Sequence, residues 1–211
     1  MIPGSGTARC PSRSSEEVPM SNLDTAELLH LALEAAGRND HGAAISYLKQ
    51  ALDLPAGTTA SSTDYARLLY LLGAEYAQIG LMDRAQEQMA RAVEMDPGLH
   101  TARFQLGLLL LTQARPEAAL EVLAPLKDLG PQQAFFHLEA GLAHLVRDEF
   151  TACRESLLQG MELNAASAAP NLALNADMQK ILDALPAGDG GDKAAEAGFM
   201  MSAYSRGPGA Q

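Results

Sequence analysis

The 211-residue chain has no tryptophan, and phenylalanine and tyrosine together make up only 5% of it. Alanine and leucine supply most of the hydrophobic residues, which are 47% of the chain. Strand-rich proteins depend on Val, Ile, Tyr and Phe, whereas Ala and Leu favour helices. The composition therefore argues against an all-β fold and favours a helical one.

Basic residues are scarce, with 15 Lys and Arg against 26 Asp and Glu, which gives a net charge of −11. A protein that binds nucleic acid needs cationic side chains for the phosphates, and an anionic membrane surface repels a protein this acidic. The longest apolar run, residues 106–111, is far shorter than the roughly 20 residues that span a bilayer. We expect neither a nucleic-acid partner nor a membrane partner.

Cysteine is nearly absent, since only Cys10 and Cys153 are present. No disulfide framework is therefore predicted, and a cytoplasmic location is expected.

Residues 1–21 are rich in Pro, Ser and Gly and lack the apolar core of a secretory signal, which predicts a disordered tail. Met20 opens the first helical pattern, and one hypothesis is that residues 1–19 come from an upstream start rather than from the natural protein.

A period of 34 residues organises the rest of the chain. It separates three kinds of position: the glycines Gly73, Gly107 and Gly141, the small residues Ala85, Ala119 and Cys153, and the prolines Pro97 and Pro131. A glycine inside a helix costs about 0.5–1 kcal/mol relative to alanine. Its recurrence predicts a close approach of two helices, with the small residue on the second helix.

These positions resemble the tetratricopeptide repeat, whose pattern is Trp-x2-Leu-Gly-x2-Tyr followed by Ala and a closing Pro. The best match has Leu69 in the Trp place, then Leu72-Gly73, Tyr76, Ala85 and Pro97. The resemblance implies an all-α fold, a right-handed α-solenoid of about four helix-turn-helix repeats within residues 22–185. The predicted repeats are residues 25–57, 66–99, 100–133 and 134–167, and the first is the loosest match.

An amphipathic segment follows the last repeat, and residues 171–185 are predicted to form a helix that caps the solenoid. Beyond it, residues 186–211 are Gly-rich and are predicted to be a disordered tail. Inside this tail Phe199, Met200, Met201 and Tyr204 form a short apolar cluster. The alternative to an inert tail is a docking segment that orders on binding.

No residues suggest catalysis. The five histidines have no metal-ligand spacing, and neither a phosphate-binding glycine loop nor a nucleophile elbow is present, so we expect no enzyme, no metal and no cofactor. His137 and His144 lie two helical turns apart at inter-helix positions, which favours packed or hydrogen-bonded side chains. Cys153 stands where other repeats have alanine, which favours a buried, inert thiol. A metal protein or enzyme built on these three residues is the remote alternative.

In the tetratricopeptide family the first helices of successive repeats line a concave groove that receives a peptide or helix. The resemblance therefore implies a protein-binding adaptor or scaffold with a mostly apolar groove. Its expected residues are Leu29, Leu33, Arg67, Tyr70, Ala74, Gln78, Thr101, Phe104, Leu108, Leu111, Phe135, Leu138 and Leu142. Three alternatives stay open: a groove covered by residues 171–185, a homodimer formed through the groove, and an acidic secretion-type chaperone that shields an apolar segment of its substrate.

Overall fold

The computed structural model describes residues 23–54 and 61–186, and within these ranges the regular elements are helices. They are α1 Thr25–Gly37, α2 His41–Asp53, α3 Ser62–Gln78, α4 Met82–Met95, α5 His100–Thr112, α6 Pro116–Leu123, a 3₁₀ helix Ala124–Leu129, α7 Ala134–Val146, α8 Phe150–Ala165 and α9 Leu172–Ala184. Helices α1 to α8 form four pairs, and each pair packs on the next. The chain is an all-α solenoid, as the resemblance implied.

Three of the four pairs meet at a glycine, and the period of 34 residues marks this contact. A Cβ atom added to Gly73 would lie 2.8 Å from Cγ of Met89, and one added to Gly107 or Gly141 would lie 2.6 Å from Cδ2 of Leu123 or Leu157. The small residues Ala85, Ala119 and Cys153 are fully buried one helical turn earlier on the second helix. The predicted close approach is confirmed, and it explains why these helices tolerate glycine.

The turns inside the pairs share one backbone conformation. Asn39, Gly80, Ala114 and Asp148 have positive φ angles of 59°, 79°, 56° and 58°. In each turn the next residue donates its N–H to a carbonyl five positions earlier, at 2.9 or 3.0 Å. This is the Schellman arrangement, which closes the first helix and starts the second.

The third pair departs from the regular repeat. Helix α6 begins with Pro116 at its first position but ends at Leu123, and the chain continues as the 3₁₀ helix. Pro125 has no backbone N–H to donate, so it interrupts the α-helical ladder there. Leu126, in the 3₁₀ helix, is buried, so this segment belongs to the core.

Helix α9 packs on α8 through a network of three asparagines. The buried Asn164 side chain donates to the Asn171 carbonyl oxygen at 2.9 Å and to Asn175 Oδ1 at 2.7 Å, and it accepts from the Asn171 N–H at 3.3 Å. At the other end of α9, Arg154 donates to the Pro186 carbonyl oxygen at 3.1 Å. Both ends of α9 are therefore tied to α8.

No helix in residues 23–54 and 61–186 is long and apolar enough to cross a membrane. The two predicted tails lie outside the described residues, apart from Pro186 at the start of the second tail. Met20 and the cluster Phe199 to Tyr204 are therefore among the residues that are not described.

Candidate functional site

The first two helix pairs carry the exposed members of the predicted groove together with three partly buried ones. Six predicted groove residues lie here, on α1 and α3, and we call them the open patch: Leu29, Leu33, Arg67, Tyr70, Ala74 and Gln78. Leu33, Arg67 and Gln78 are exposed, with 51% of the Leu33 surface accessible, and the other three are partly buried. A leucine this exposed beside alanine and tyrosine makes the patch apolar and accessible.

Five other predicted groove residues, on α5 and α7, are buried. These are Phe104, Leu108, Leu111, Leu138 and Leu142, and none is more than 5% exposed. The expectation that they line an open groove is corrected, because they belong to the hydrophobic core.

Helix α9 adds its apolar side to this core. Its residues Leu174, Met178 and Ile181 are buried in the same hydrophobic cluster as Leu108 and Leu142, a cluster that extends from α1 to α9. Helix α9 contacts mainly α8, and Leu138 packs where α7 approaches Gly160 of α8.

Tyr70 of the open patch is influenced by α9. Burial raises the pKa of the Tyr70 hydroxyl above its usual value, and the Asp177 carboxylate on α9 raises it further. The charge of Asp177 therefore acts on the patch although two helix pairs separate α3 from α9 in sequence.

The two remaining groove residues, Thr101 and Phe135, border a cleft of about 430 Å³. Phe135 also packs on two neighbouring rings, with centroid distances of 5.8 Å to Phe104 and 6.1 Å to His100. The cleft is lined by Thr101, Gln132, Gln133, Ala134, Phe135, Leu163, Asn164, Ala166, Ser167, Ala169 and Asn171. Its lining contains no charged side chain.

Sequence reasoning missed most of this cleft. Gln132 and Gln133 precede α7, and Asn164 and Asn171 flank the connection between α8 and α9. The repeat pattern carries no information about such positions, because they lie between helices. The sequence feature that could have predicted them is a local excess of amide and hydroxyl side chains at the last repeat boundary.

His137 and His144 form hydrogen bonds. His137 Nε2 lies 2.8 Å from the Pro131 carbonyl oxygen, and His144 Nδ1 lies 2.5 Å from Glu149 Oε2. Through that hydrogen bond His144 lowers the pKa of Glu149, and Arg147, 3.2 Å from the same oxygen, lowers it further. No group of three His, Cys, Asp or Glu side chains in the described ranges could hold a metal ion.

Cys153 is fully buried, as its alignment with Ala85 and Ala119 predicted. Burial raises the pKa of its thiol to about 12, even though Arg154 acts in the opposite direction. The thiol therefore stays protonated near neutral pH and is a poor nucleophile.

Two ion pairs were missed by the sequence reasoning. Glu139 on α7 is 1% exposed, and its Oε1 lies 3.4 Å from Nζ of Lys127 in the 3₁₀ helix. His41 Nδ1 lies 2.7 Å from Glu75 Oε2, which links α2 to α3. Both pairs connect neighbouring repeats, and the pattern of repeat positions does not predict either of them.

The described residues combine a patch that exposes Leu33 with a cleft lined by uncharged side chains. Both lie on a solenoid of stacked helix pairs, the architecture that defines the class of helical-repeat proteins.

The comparisons with known proteins agree with this class. A tetratricopeptide-repeat family model matches residues 66–99. A crystal structure of MamA has a TM-score of 0.52 and 20% identity, covering 67% of this chain and 78% of the MamA chain. A structure of MamA from Desulfovibrio magneticus RS-1, from residue 41 to the end, has a TM-score of 0.53 and 16% identity, covering 86% and 91%. No curated protein matches the sequence.

Residues 66–99 therefore match a tetratricopeptide repeat, and the described helices have the fold of a solenoid of such repeats. At these identities the MamA structures support the fold alone.

Proposed function

We propose that this protein is an interaction scaffold that binds an amphipathic helix or peptide of a partner protein on the open patch. The observation that carries the proposal is the exposure of Leu33, Arg67 and Gln78 beside the partly buried Leu29, Tyr70 and Ala74. The patch lies on first helices, which supply the concave surface of a tetratricopeptide solenoid.

The patch can supply a binding anchor without refolding the protein. Leu29, Tyr70 and Ala74 already pack against the core, so few side chains must be ordered on binding. Burying one large apolar side chain contributes about 1.5–3 kcal/mol, and Leu33 is the exposed anchor of this kind in the patch. Most of the gain is expected from one or two such contacts.

The partner segment is expected to be apolar on one face and basic or neutral elsewhere. The net charge of −11 disfavours acidic partners and speeds association with basic ones. Arg67 is exposed in the patch, so a partner whose apolar face covers Leu33 and leaves the Arg67 guanidinium in solvent avoids burying an unpaired charge.

The test compares two matched variants, Leu33→Glu and Leu158→Glu. Both leucines are half exposed, at 51% and 50%, so neither change places a carboxylate in the core. Leu33 is in the open patch, whereas Leu158 is on α8, a second helix. Tagged protein is purified from cells that naturally express it, and co-purifying proteins are quantified by mass spectrometry.

We expect Leu33→Glu to reduce recovery of a specific partner at least tenfold and Leu158→Glu to leave it unchanged. Circular dichroism should show the same helix content for both variants. Equal recovery with both variants, or equal loss with both, would contradict the proposed binding surface.

A further inference from the structure

We propose that the C-terminal tail of this chain docks on its own open patch through Phe199, Met200, Met201 and Tyr204. The inference concerns the free protein and needs no partner, so it stands apart from the proposed function although it involves the same surface.

The C-terminal part of the chain already folds back on the solenoid in cis. Helix α9 buries Leu174, Met178 and Ile181 in the hydrophobic cluster that also holds Leu108 and Leu142. The charge of Asp177 on α9 acts on Tyr70 of the open patch. The patch itself keeps Leu33 exposed.

The chain leaves α9 at the edge of the solenoid where the first helices end. The Pro186 carbonyl oxygen accepts from Arg154, which is in the first half of α8. The start of α8 follows the turn that ends α7, and in stacked helix pairs the first helices end on a common edge. Leu33 and Gln78 are near the C-terminal ends of α1 and α3, so they lie toward the same edge. Helices packed side by side are about 8–10 Å apart, which places α3 and α1 roughly 20–30 Å from the last pair.

The tail is long enough to reach the patch. Residues 187–198 separate the end of the described chain from Phe199. Twelve residues extend to at most about 43 Å, and a Gly-rich linker of this length has a root-mean-square span of about 20 Å. Helix α3, with 17 residues, is about 26 Å long. A tethered segment at this range has an effective concentration on the order of millimolar.

The tail also matches the patch chemically. Residues 197–205 carry no charged side chain and include four large apolar ones within six positions. Docking them on Leu29, Leu33, Tyr70 and Ala74 buries apolar atoms on both sides and desolvates no charge of the tail. A covered Leu33 would also remove an exposed leucine from the surface of the free protein.

The experiment uses the full chain with p-benzoylphenylalanine in place of Leu33, and in place of Leu158 as the control of equal exposure. Equal amounts of 15N-labelled and unlabelled protein are mixed, irradiated without any partner and digested with trypsin. Cross-links are then sought to the tryptic peptide that spans residues 194–206. The isotope pattern separates cross-links within one chain from those between chains.

We expect the probe at position 33, and not the probe at position 158, to cross-link to residues 199–204 of the same chain. Combining the probe at position 33 with Phe199→Ser and Met201→Ser should lower the yield at least fivefold. The proposal is overturned by cross-links between labelled and unlabelled chains, which indicate a dimer, by equal yields from both probe positions, or by no cross-link to the tail.

Because no partner is present in this experiment, its failure leaves the partner-binding proposal standing. Conversely, Leu33→Glu can abolish partner recovery while no cross-link to the tail forms. That result supports a patch that binds a partner and is not covered by the tail.

Discussion

A single residue in each intra-pair turn takes the left-handed conformation, and only one of the four is glycine. Gly80 has φ of 79°, whereas Ala114 at the equivalent place has φ of 56°. An alanine in this region suffers a steric penalty of about 1 kcal/mol that glycine avoids. The repeat spacing places both residues in the same turn but does not reveal that Ala114 has a positive φ, because alanine normally favours helix.

We therefore expect Ala114→Gly to stabilise the protein by about 0.5–1 kcal/mol and Gly80→Ala to destabilise it by a similar amount. Nothing lies within 4 Å of a Cβ added to Gly80, so the second change tests backbone conformation and not packing. Urea unfolding followed by circular dichroism measures both effects. Changes of the same sign in the two variants would be inconsistent with this account.

Glu139 is the clearest electrostatic feature at the residue scale. Burial raises the pKa of its carboxyl group, and Lys127, Arg147 and His144 only partly offset that effect. A carboxyl group whose pKa is higher in the folded state than in the unfolded state destabilises the fold once it is ionised. Its unfavourable contribution is absent below the unfolded pKa and complete above the folded one.

The variant Glu139→Gln should therefore be more stable than the natural chain at neutral pH, with the difference shrinking as the pH falls toward 4. Unfolding free energies measured from pH 4 to pH 8 give this dependence, and Glu155→Gln at an exposed site on α8 is the control. A Glu139→Gln variant that is less stable than the natural chain at neutral pH would show that Lys127 outweighs the cost of burial, and a difference that does not vary with pH would exclude an effect of ionisation.

At the scale of the elements, side-chain caps explain the start of helices α1, α2, α3 and α9, and Pro116 begins α6. Asp24 accepts from the Glu27 N–H at 2.8 Å while Glu27 accepts from the Asp24 N–H at 2.9 Å, and this reciprocal cap opens α1. The division into helix pairs follows from spacing and such caps. The 3₁₀ helix after α6 is not predicted by the repeat period. Pro125 ends α6 early, whereas the period alone would continue the helix.

Helix α9 is held by polar contacts that the amphipathic pattern does not contain. Replacing Asn164 by Ala removes three hydrogen bonds and leaves polar groups of Asn171 and Asn175 without their partner. We expect a loss of about 1–3 kcal/mol, with faster amide exchange concentrated in residues 172–184. The exposed Gln159→Ala change on α8 is the control, and uniform loss of protection throughout the solenoid would contradict a local role for Asn164.

At the scale of the whole molecule, the repeat pattern predicts the solenoid and its inter-helix contacts, because these depend on neighbouring repeats only. It does not predict how strongly the solenoid curves or where a terminal helix packs. Leu108, Leu138 and Leu142 have the same spacing as residues of an open groove, and yet they are buried in the hydrophobic core. For about half of the candidate site residues, burial or exposure therefore could not be predicted without the three-dimensional arrangement.

The approach of Asp177 to Tyr70 also has a consequence for folding cooperativity. In an array whose contacts join only adjacent repeats, the ends fray and the repeats unfold stepwise. Here residues more than a hundred positions apart in the chain are neighbours, and α9 contributes to the core shared by the middle and last pairs. Helices α3 to α9 are thereby tied into one unit that should unfold in a single transition, with α1 and α2 as the part most free to open by itself.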